Sequence, residues 1–301
     1  MVSKESCGTI LAFLAAITSG FSIFLNKIFI VSLDPIIFTA TRAILLGGIF
    51  FIFSLYKNGW KAKSFNKVPW KYLFAIGFIG GGIAFLLFFS GLKMTTSGRA
   101  AFLQKTLPLY VTPLAFFFLK EKIGKKQVAA LLLMLAGTVI LSSSEITPSE
   151  FWSNPHFGDM LVVAATMLWA VENTISRKAI LLGESNFIVS FGRMFFGALL
   201  LFGISLLYGK IYLLLSLPLV QWIYILISSV ALFAYMLSYY WSMKYINVSK
   251  AATILSFSPV ITLLLGISFL KEPVLSFQLI GSFIILAAAF LISRVKSETT
   301  T

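Results

Sequence analysis

Four ionised side chains interrupt stretches that are otherwise apolar: Arg42, Lys105, Glu172 and Arg193. A charge inside a long apolar run is costly in hydrocarbon, so it is retained where it meets a partner, a cavity or a ligand. Arg42 and Lys105 each lie about seven residues inside one end of their runs, roughly 10 Å deep at 1.5 Å per residue, so they share a level. No Asp or Glu occurs at that depth from the same side. The pair is thus available to an anionic group such as a carboxylate or phosphate. The plainer alternative is an arginine that extends to the interface or bonds to backbone carbonyls. Glu172 and Arg193 reach matching depths from the other side. An ion pair between them lowers the cost of both charges and serves as a static link, as a contact that opens in a conformational change, or with Glu172 as a proton carrier.

Around these charges lie groups suited to holding a polar molecule. Asn173, beside Glu172, and Asn26 offer amides, although polar residues in apolar helices more often join helices to each other. Tyr235 and Tyr239, four apart, share a helix face and with Trp169 can wall the apolar part of a ligand. Pro108, Pro113 and Pro259 each remove a backbone donor inside an apolar run and free a carbonyl about one turn earlier, which predicts bent helices. No catalytic set accompanies them. One cysteine, Cys7, and one histidine, His156, cannot assemble a metal site, there is no His-Glu-x-x-His, and no Gly-Lys-Ser/Thr loop indicates direct use of ATP. The reading therefore contains no catalytic residue, metal or cofactor.

The elements that position these residues follow from hydrophobicity. Of 301 residues, 59% are hydrophobic and 11% charged, a balance that makes lipid the solvent for most of the surface. A span needs about 20 apolar residues to cross about 30 Å of hydrocarbon. Ten runs qualify, approximately 8 to 30, 35 to 56, 72 to 92, 98 to 119, 125 to 143, 158 to 180, 186 to 208, 219 to 243, 249 to 270 and 275 to 293. The net charge of +14 is gathered in short clusters between these runs rather than on a polar face, which argues against nucleic acid as a partner. With both termini inside, sixteen Lys and Arg fall on the inner side, among them Lys57, Lys61, Lys63, Lys67 and Lys71, and five on the outer, Lys27, Lys93, Arg99, Lys210 and Lys271. Short cation-rich loops stay cytoplasmic. The expectation is an all-α membrane protein of ten transmembrane helices in a cytoplasmic membrane, with both termini cytoplasmic.

The chain also repeats itself. At an offset of 151, Lys93 to Gln127 falls on Lys244 to Gln278 without a gap and 10 of 35 positions are identical, including Ala100-Ala101, Pro108 and Phe118-Leu119-Lys120-Glu121. Upstream, Gly8 meets Gly158 and Asp34 meets Glu184 at 150, and Arg42 meets Arg193 at 151. Five spans per half is an odd number, so the second half enters the membrane from the opposite side. That is a 5+5 inverted repeat, with units 1–143 and 158–301 joined by an extracytoplasmic loop, 144–157. Such an arrangement lets a central site face either side in turn. Lys120-Glu121 and Lys271-Glu272 read as helix-end pairs at the surface.

An Ala-rich helix start, a mid-helix Pro, an aromatic and Leu run ending in Leu-Lys-Glu, then Gln, at 99–128 and again at 250–279, resembles the EamA-type branch of the drug/metabolite transporter superfamily. The resemblance covers nearly the whole chain in two units. It implies a ten-helix exporter or permease for metabolites such as amino acids. Lys105, opposite Ser256 in the second unit, departs from the repeat and suits an anionic solute. The expected function is secondary transport of a small polar metabolite, an amino acid or organic anion, by alternating access. The expected partners are that solute and the bilayer, with monomer and homodimer equally compatible. A channel or non-transporting scaffold needs neither charges at matched depth nor an inverted repeat, and a lipid-acting enzyme lacks its catalytic residues.

Overall fold

The computed structural model describes residues 3–29, 33–57, 69–143 and 157–297. The central loop up to residue 156, with His156, and the cations Lys61, Lys63 and Lys67 lie outside them, as does the side chain of Lys27. Among the described residues there are helices and no strands: α1 (Lys4–Phe29), α2 (Pro35–Lys57), α3 (Trp70–Leu92), α4 (Ser97–Gln104), α5 (Leu107–Leu119), α6 (Lys125–Ser142), α7 (Phe157–Leu181), α8 (Asn186–Leu207), α9 (Leu219–Tyr245), α10 (Val248–Leu255), α11 (Ser258–Leu270) and α12 (Ser276–Arg294), with one helical turn at Tyr212–Leu215 before α9.

Nine described segments are long and apolar enough to cross a membrane, with α4–α5 and α10–α11 each counted as one. The run expected at 158–180 is α7, 25 residues long, but Asp159, Glu172, Arg177 and Lys178 set it apart. The first three turn into the protein, each less than a tenth exposed. Large apolar side chains cover the outside, among them Phe118 (70% exposed), Leu207 (86%) and Phe283 (73%), a surface that only lipid satisfies.

Helix ends follow local chemistry. Thr96, Ser185 and Asn247 cap α4, α8 and α10 by accepting the N–H of Arg99, Ile188 and Lys250. At the far ends of α5 and α11, Lys120 (φ 56°) and Lys271 (φ 55°) take the left-handed conformation. The N–H of Glu121 and of Glu272 then folds back to the carbonyls of Ala115 and Gly266. The identical residues of the sequence repeat thus adopt identical backbone.

Packing repeats with the same period. α1 packs on α9 as α7 packs on α3; α1 meets α10 and α11 as α7 meets α4 and α5; α2 meets α8, and α6 meets α12. Glycines permit the closest of these approaches. A Cβ on Gly77 would overlap the Gly192 carbonyl, one on Gly80 would overlap Glu172, and one on Gly81 would overlap the Arg193 carbonyl. This stretch of α3, Ile76–Ile83, is wound as a π-helix, which frees the Gly80 carbonyl to accept the indole N–H of Trp169 at 3.0 Å.

Contacts along α1 and α9 also fix direction. Gly8, near the start of α1, lies against Tyr245 and Ile246 at the end of α9, whereas Asn26 bonds to Ser228 in the first half of α9. α7 runs from Gly158, beside Gly91 and Met94 at the end of α3, toward Glu172, beside Tyr240 in the last turns of α9. The start of α1 and the start of α7 therefore lie at opposite ends of the molecule.

Candidate functional site

The expected kinks at Pro108 and Pro259 are full interruptions. α4 stops at Gln104 and α5 begins at Leu107; α10 stops at Leu255 and α11 begins at Ser258. Three-residue turns bridge both gaps, Lys105 N–H to Phe102 and Thr106 N–H to Leu103 in one, Ser256 N–H to Thr253 and Phe257 N–H to Ile254 in the other. Each proline occupies the first turn of the helix that follows, where its missing donor costs nothing. Pro113 lies inside α5 without interrupting it and faces outward, so no bend of the pathway is attributed to it.

The two interruptions border a cavity of about 190 Å³ that also receives side chains from α1, α2, α3, α7, α8 and α9. Seven of the nine residues singled out for solute binding line it: Asn26, Arg42, Lys105, Trp169, Asn173, Arg193 and Tyr235. The other two do not. Tyr239 is fully buried and stacks on Tyr235 with 5.6 Å between ring centroids, so it supports the wall from behind. Glu172 is fully buried beneath Arg193.

Arg42 donates from Nη1 to Ser228 Oγ at 2.7 Å and to Asn26 Oδ1 at 3.2 Å, while Ser228 donates to the same amide oxygen at 2.7 Å. Its guanidinium lies 4.0 Å from the Phe38 ring centroid. Lys105 Nζ donates to Ser258 Oγ at 2.9 Å. Neither cation has a carboxylate partner among the described residues. Arg193 is different: its Nη1 stands 3.2 Å from Glu172 Oε2, outside hydrogen-bonding geometry, and donates to Tyr240 Oη at 3.1 Å. Glu172 Oε1 accepts from Tyr240 and Ser176, both at 2.7 Å. Tyr240, rather than its neighbour Tyr239, is the tyrosine that works with the charges, and Ser228 is the further partner that sequence reading missed.

An ion pair lies at each end of the molecule. At the end where α1 begins, fully buried Lys250 donates to Glu5 Oε1 at 2.7 Å and to the Val295 carbonyl at 2.6 Å. At the end where α7 begins, Arg99 pairs with Asp159, its Nε reaching Oδ1 at 3.2 Å, and Thr95 donates to the same oxygen at 2.6 Å. Arg99 and Lys250 are repeat equivalents. Each pair joins the first helix of one set to the fourth of the other.

The surface pair expected at Lys120-Glu121 is not formed. Lys120 is exposed, while Glu121, 3% exposed, turns inward to accept Arg177 Nε at 3.1 Å and the Val248 N–H at 3.1 and 3.2 Å. Burial pushes the Glu121 carboxyl above its ordinary range, against the opposing pull of Arg177 and the Val248 and Ser249 N–H groups. Nearby, the amides of Gln127 and Asn247 bond reciprocally at 3.2 and 3.3 Å. At the other end Asp34 accepts from Lys210 at 2.8 Å. Burial raises the Asp34 carboxyl, but Lys210 and the Ile37 and Ile36 N–H groups outweigh it and hold the group below its ordinary range.

Known proteins resemble this chain along its length. YyaM of Bacillus subtilis (strain 168), described as an uncharacterized transporter, is 26% identical over 285 residues, 92% of each chain. YoaV of the same organism, described likewise, is 24% identical and covers 90% of this chain and 91% of its own. Protein PecM of Dickeya dadantii (strain 3937) is 26% identical across 95% and 92%. One crystal structure superposes with a TM-score of 0.76 over 96% of this chain and 97% of its own, at 20% identity, which speaks for the fold alone. The profile of the EamA-like transporter family matches twice, at residues 6–143 and 156–294, and the protein, a multi-pass membrane protein by its apolar helices, belongs to that family.

Proposed function

We propose that the chain is a secondary transporter, exporter or permease, that carries a small polar metabolite, an organic anion or an amino acid, across the cytoplasmic membrane by alternating access. In this reading α7 is the tenth span, its charges covered by neighbouring helices. The units 1–143 and 158–301 form an inverted repeat around an axis in the membrane plane, the loop 144–157 is extracytoplasmic, and both termini are cytoplasmic.

One observation carries the proposal: a cation-lined cavity lies between two ends, each tied by an ion pair whose cation is the repeat equivalent of the other, Lys250–Glu5 and Arg99–Asp159. Because each pair links the same two elements of opposite halves, breaking one while keeping the other opens the cavity to one side only. The helix interruptions beside Lys105 and Ser256 supply the flexible joints, and their irregular backbone lines the cavity rather than lipid. A channel requires no such paired closure.

Purified protein in liposomes is expected to give saturable flux that is accelerated by the same solute on the far side. Ohmic conductance that does not saturate would overturn the proposal in favour of a channel. Attaching an impermeant label to the loop around residue 150 tests the orientation, which fails if that loop is reached from the cytoplasmic side.

A further inference from the structure

Arg42 and Arg193 stand at equivalent positions of the two repeats, 151 residues apart, yet their surroundings differ by one charge. Arg193 faces Glu172 at 3.2 Å. The residue that falls on Glu172 in the first repeat, at an offset of 150, is Ser22, and Ser22 lines the cavity. Arg42 is left with a hydroxyl and an amide as partners. The residue is only 6% exposed and its buried Nε has no partner. Lys105 adds a second cation to the same cavity and bonds to the Ser258 hydroxyl.

Among the described residues the cavity is therefore lined by three cations and by no carboxylate. Glu172, from behind, offsets Arg193 and has its Oε1 occupied by two hydroxyls. Arg42 and Lys105 have neutral partners but no counter-charge among the described residues, and buried cations in that state are stabilised further when an anion joins them. A solute ammonium would enter a site that already holds two unbalanced positive charges and offers it no carboxylate. Asn173 Oδ1, buried without a partner, is a neutral acceptor suited to a solute hydroxyl.

We propose that the solute is a small organic dianion without an ammonium group, with one anionic group seated at Arg42, in the place that Glu172 takes beside Arg193, and the second at Lys105. The proposal rests on the transporter reading above and narrows its solute. It selects organic anions over zwitterionic amino acids.

Malate and aspartate have the same skeleton and differ in carrying a hydroxyl or an ammonium, so they separate the two classes directly. With the full chain in detergent, succinate, malate and phosphoglycolate are tested for thermal stabilisation against aspartate and glycerol. The dianions are expected to stabilise the protein, with malate binding at least about tenfold tighter than aspartate. Lys105→Met and Arg42→Met are each expected to weaken malate binding roughly tenfold or more, the loss that removing one charge-assisted hydrogen bond brings. Lys105→Arg is expected to retain most of it. Should Arg42→Met not fold, Lys105→Met decides alone. The inference is overturned if no dianion of the three stabilises the protein, if aspartate or glycerol does so as well as malate, or if Lys105→Met binds malate like the unmodified chain. Failure of the transporter reading is separate: malate would then bind, yet never cross the bilayer of loaded liposomes.

Discussion

Breaking the Lys250–Glu5 pair is expected to bias the protein toward opening at the end where α1 begins. Lys250→Met keeps the length of the side chain and removes the ammonium, and with it the bonds to Glu5 at 2.7 Å and to the Val295 carbonyl at 2.6 Å. A hydrogen bond to a charged group contributes about 1.5–3 kcal/mol net when buried. Glu5 is partly solvated, its side chain 27% exposed, and it keeps the Ser297 N–H at 2.9 Å, so one such contribution rather than two is the better measure. A loss of about 1.5–3 kcal/mol from the state closed at this end shifts the equilibrium about 10- to 150-fold toward the open state. Cys7, the single cysteine, lies half a turn beyond Glu5 and is half-buried, so its alkylation by a maleimide reports this opening without engineering the chain. In detergent, labelling is expected to quicken in Lys250→Met and to slow in Arg99→Met, which loosens the opposite end. Equal rates in both variants and the unmodified protein, at unchanged melting temperature, would refute the assignment of these pairs as the two closures.

Two further outcomes follow from the site. Tyr240→Phe removes the hydroxyl that donates to Glu172 at 2.7 Å and accepts from Arg193 at 3.1 Å, and it leaves both charges buried without their bridge; a loss of about 1–3 kcal/mol is expected in chemical denaturation, and a loss under about 0.5 kcal/mol would mean that water takes its place. Asp34 is held below its ordinary carboxylate value of 3.8, so its pairing with Lys210 contributes stability that is fully present above that value and lost as pH falls through the lower folded value; Asp34→Asn should lower the melting temperature at pH 6, by an amount that shrinks as pH is taken below 3.8, and an effect that does not change with pH would contradict the pairing.

Much of the fold was written in the apolar runs, because a helix that must bury its own backbone in lipid leaves a run of fixed length that composition reveals. The interruptions near Pro108 and Pro259 were legible as irregularities, though not their form, since the ring excludes a donor while the surroundings decide whether the helix bends or restarts. Depth along a helix could be counted from residue number, which placed Arg42 and Lys105 beside one cavity. Rotation about the helix axis could not. Tyr239 and Tyr240 differ by about 100° in facing, and only packing decides which of them meets Glu172. Glu121 looked like a surface residue beside a surface lysine. The left-handed turn at Lys120 sends the two side chains different ways, and the partner of Glu121 lies 56 residues away in sequence. Ser228, 186 residues from Arg42, was invisible for the same reason, as hydroxyls in apolar helices carry no signal of what they face.

The π-wound, glycine-rich stretch of α3 has no counterpart in α9, where Ser228, Ala231 and Leu232 fall on Gly77, Gly80 and Gly81. At these three positions α3 brings bare backbone against its neighbours, where α9 presents side chains. If the halves exchange shapes, the exchange cannot be energetically even, and one orientation of the empty protein is its resting one. The bias that sets which side the empty site faces would then reside in three side chains that α3 lacks.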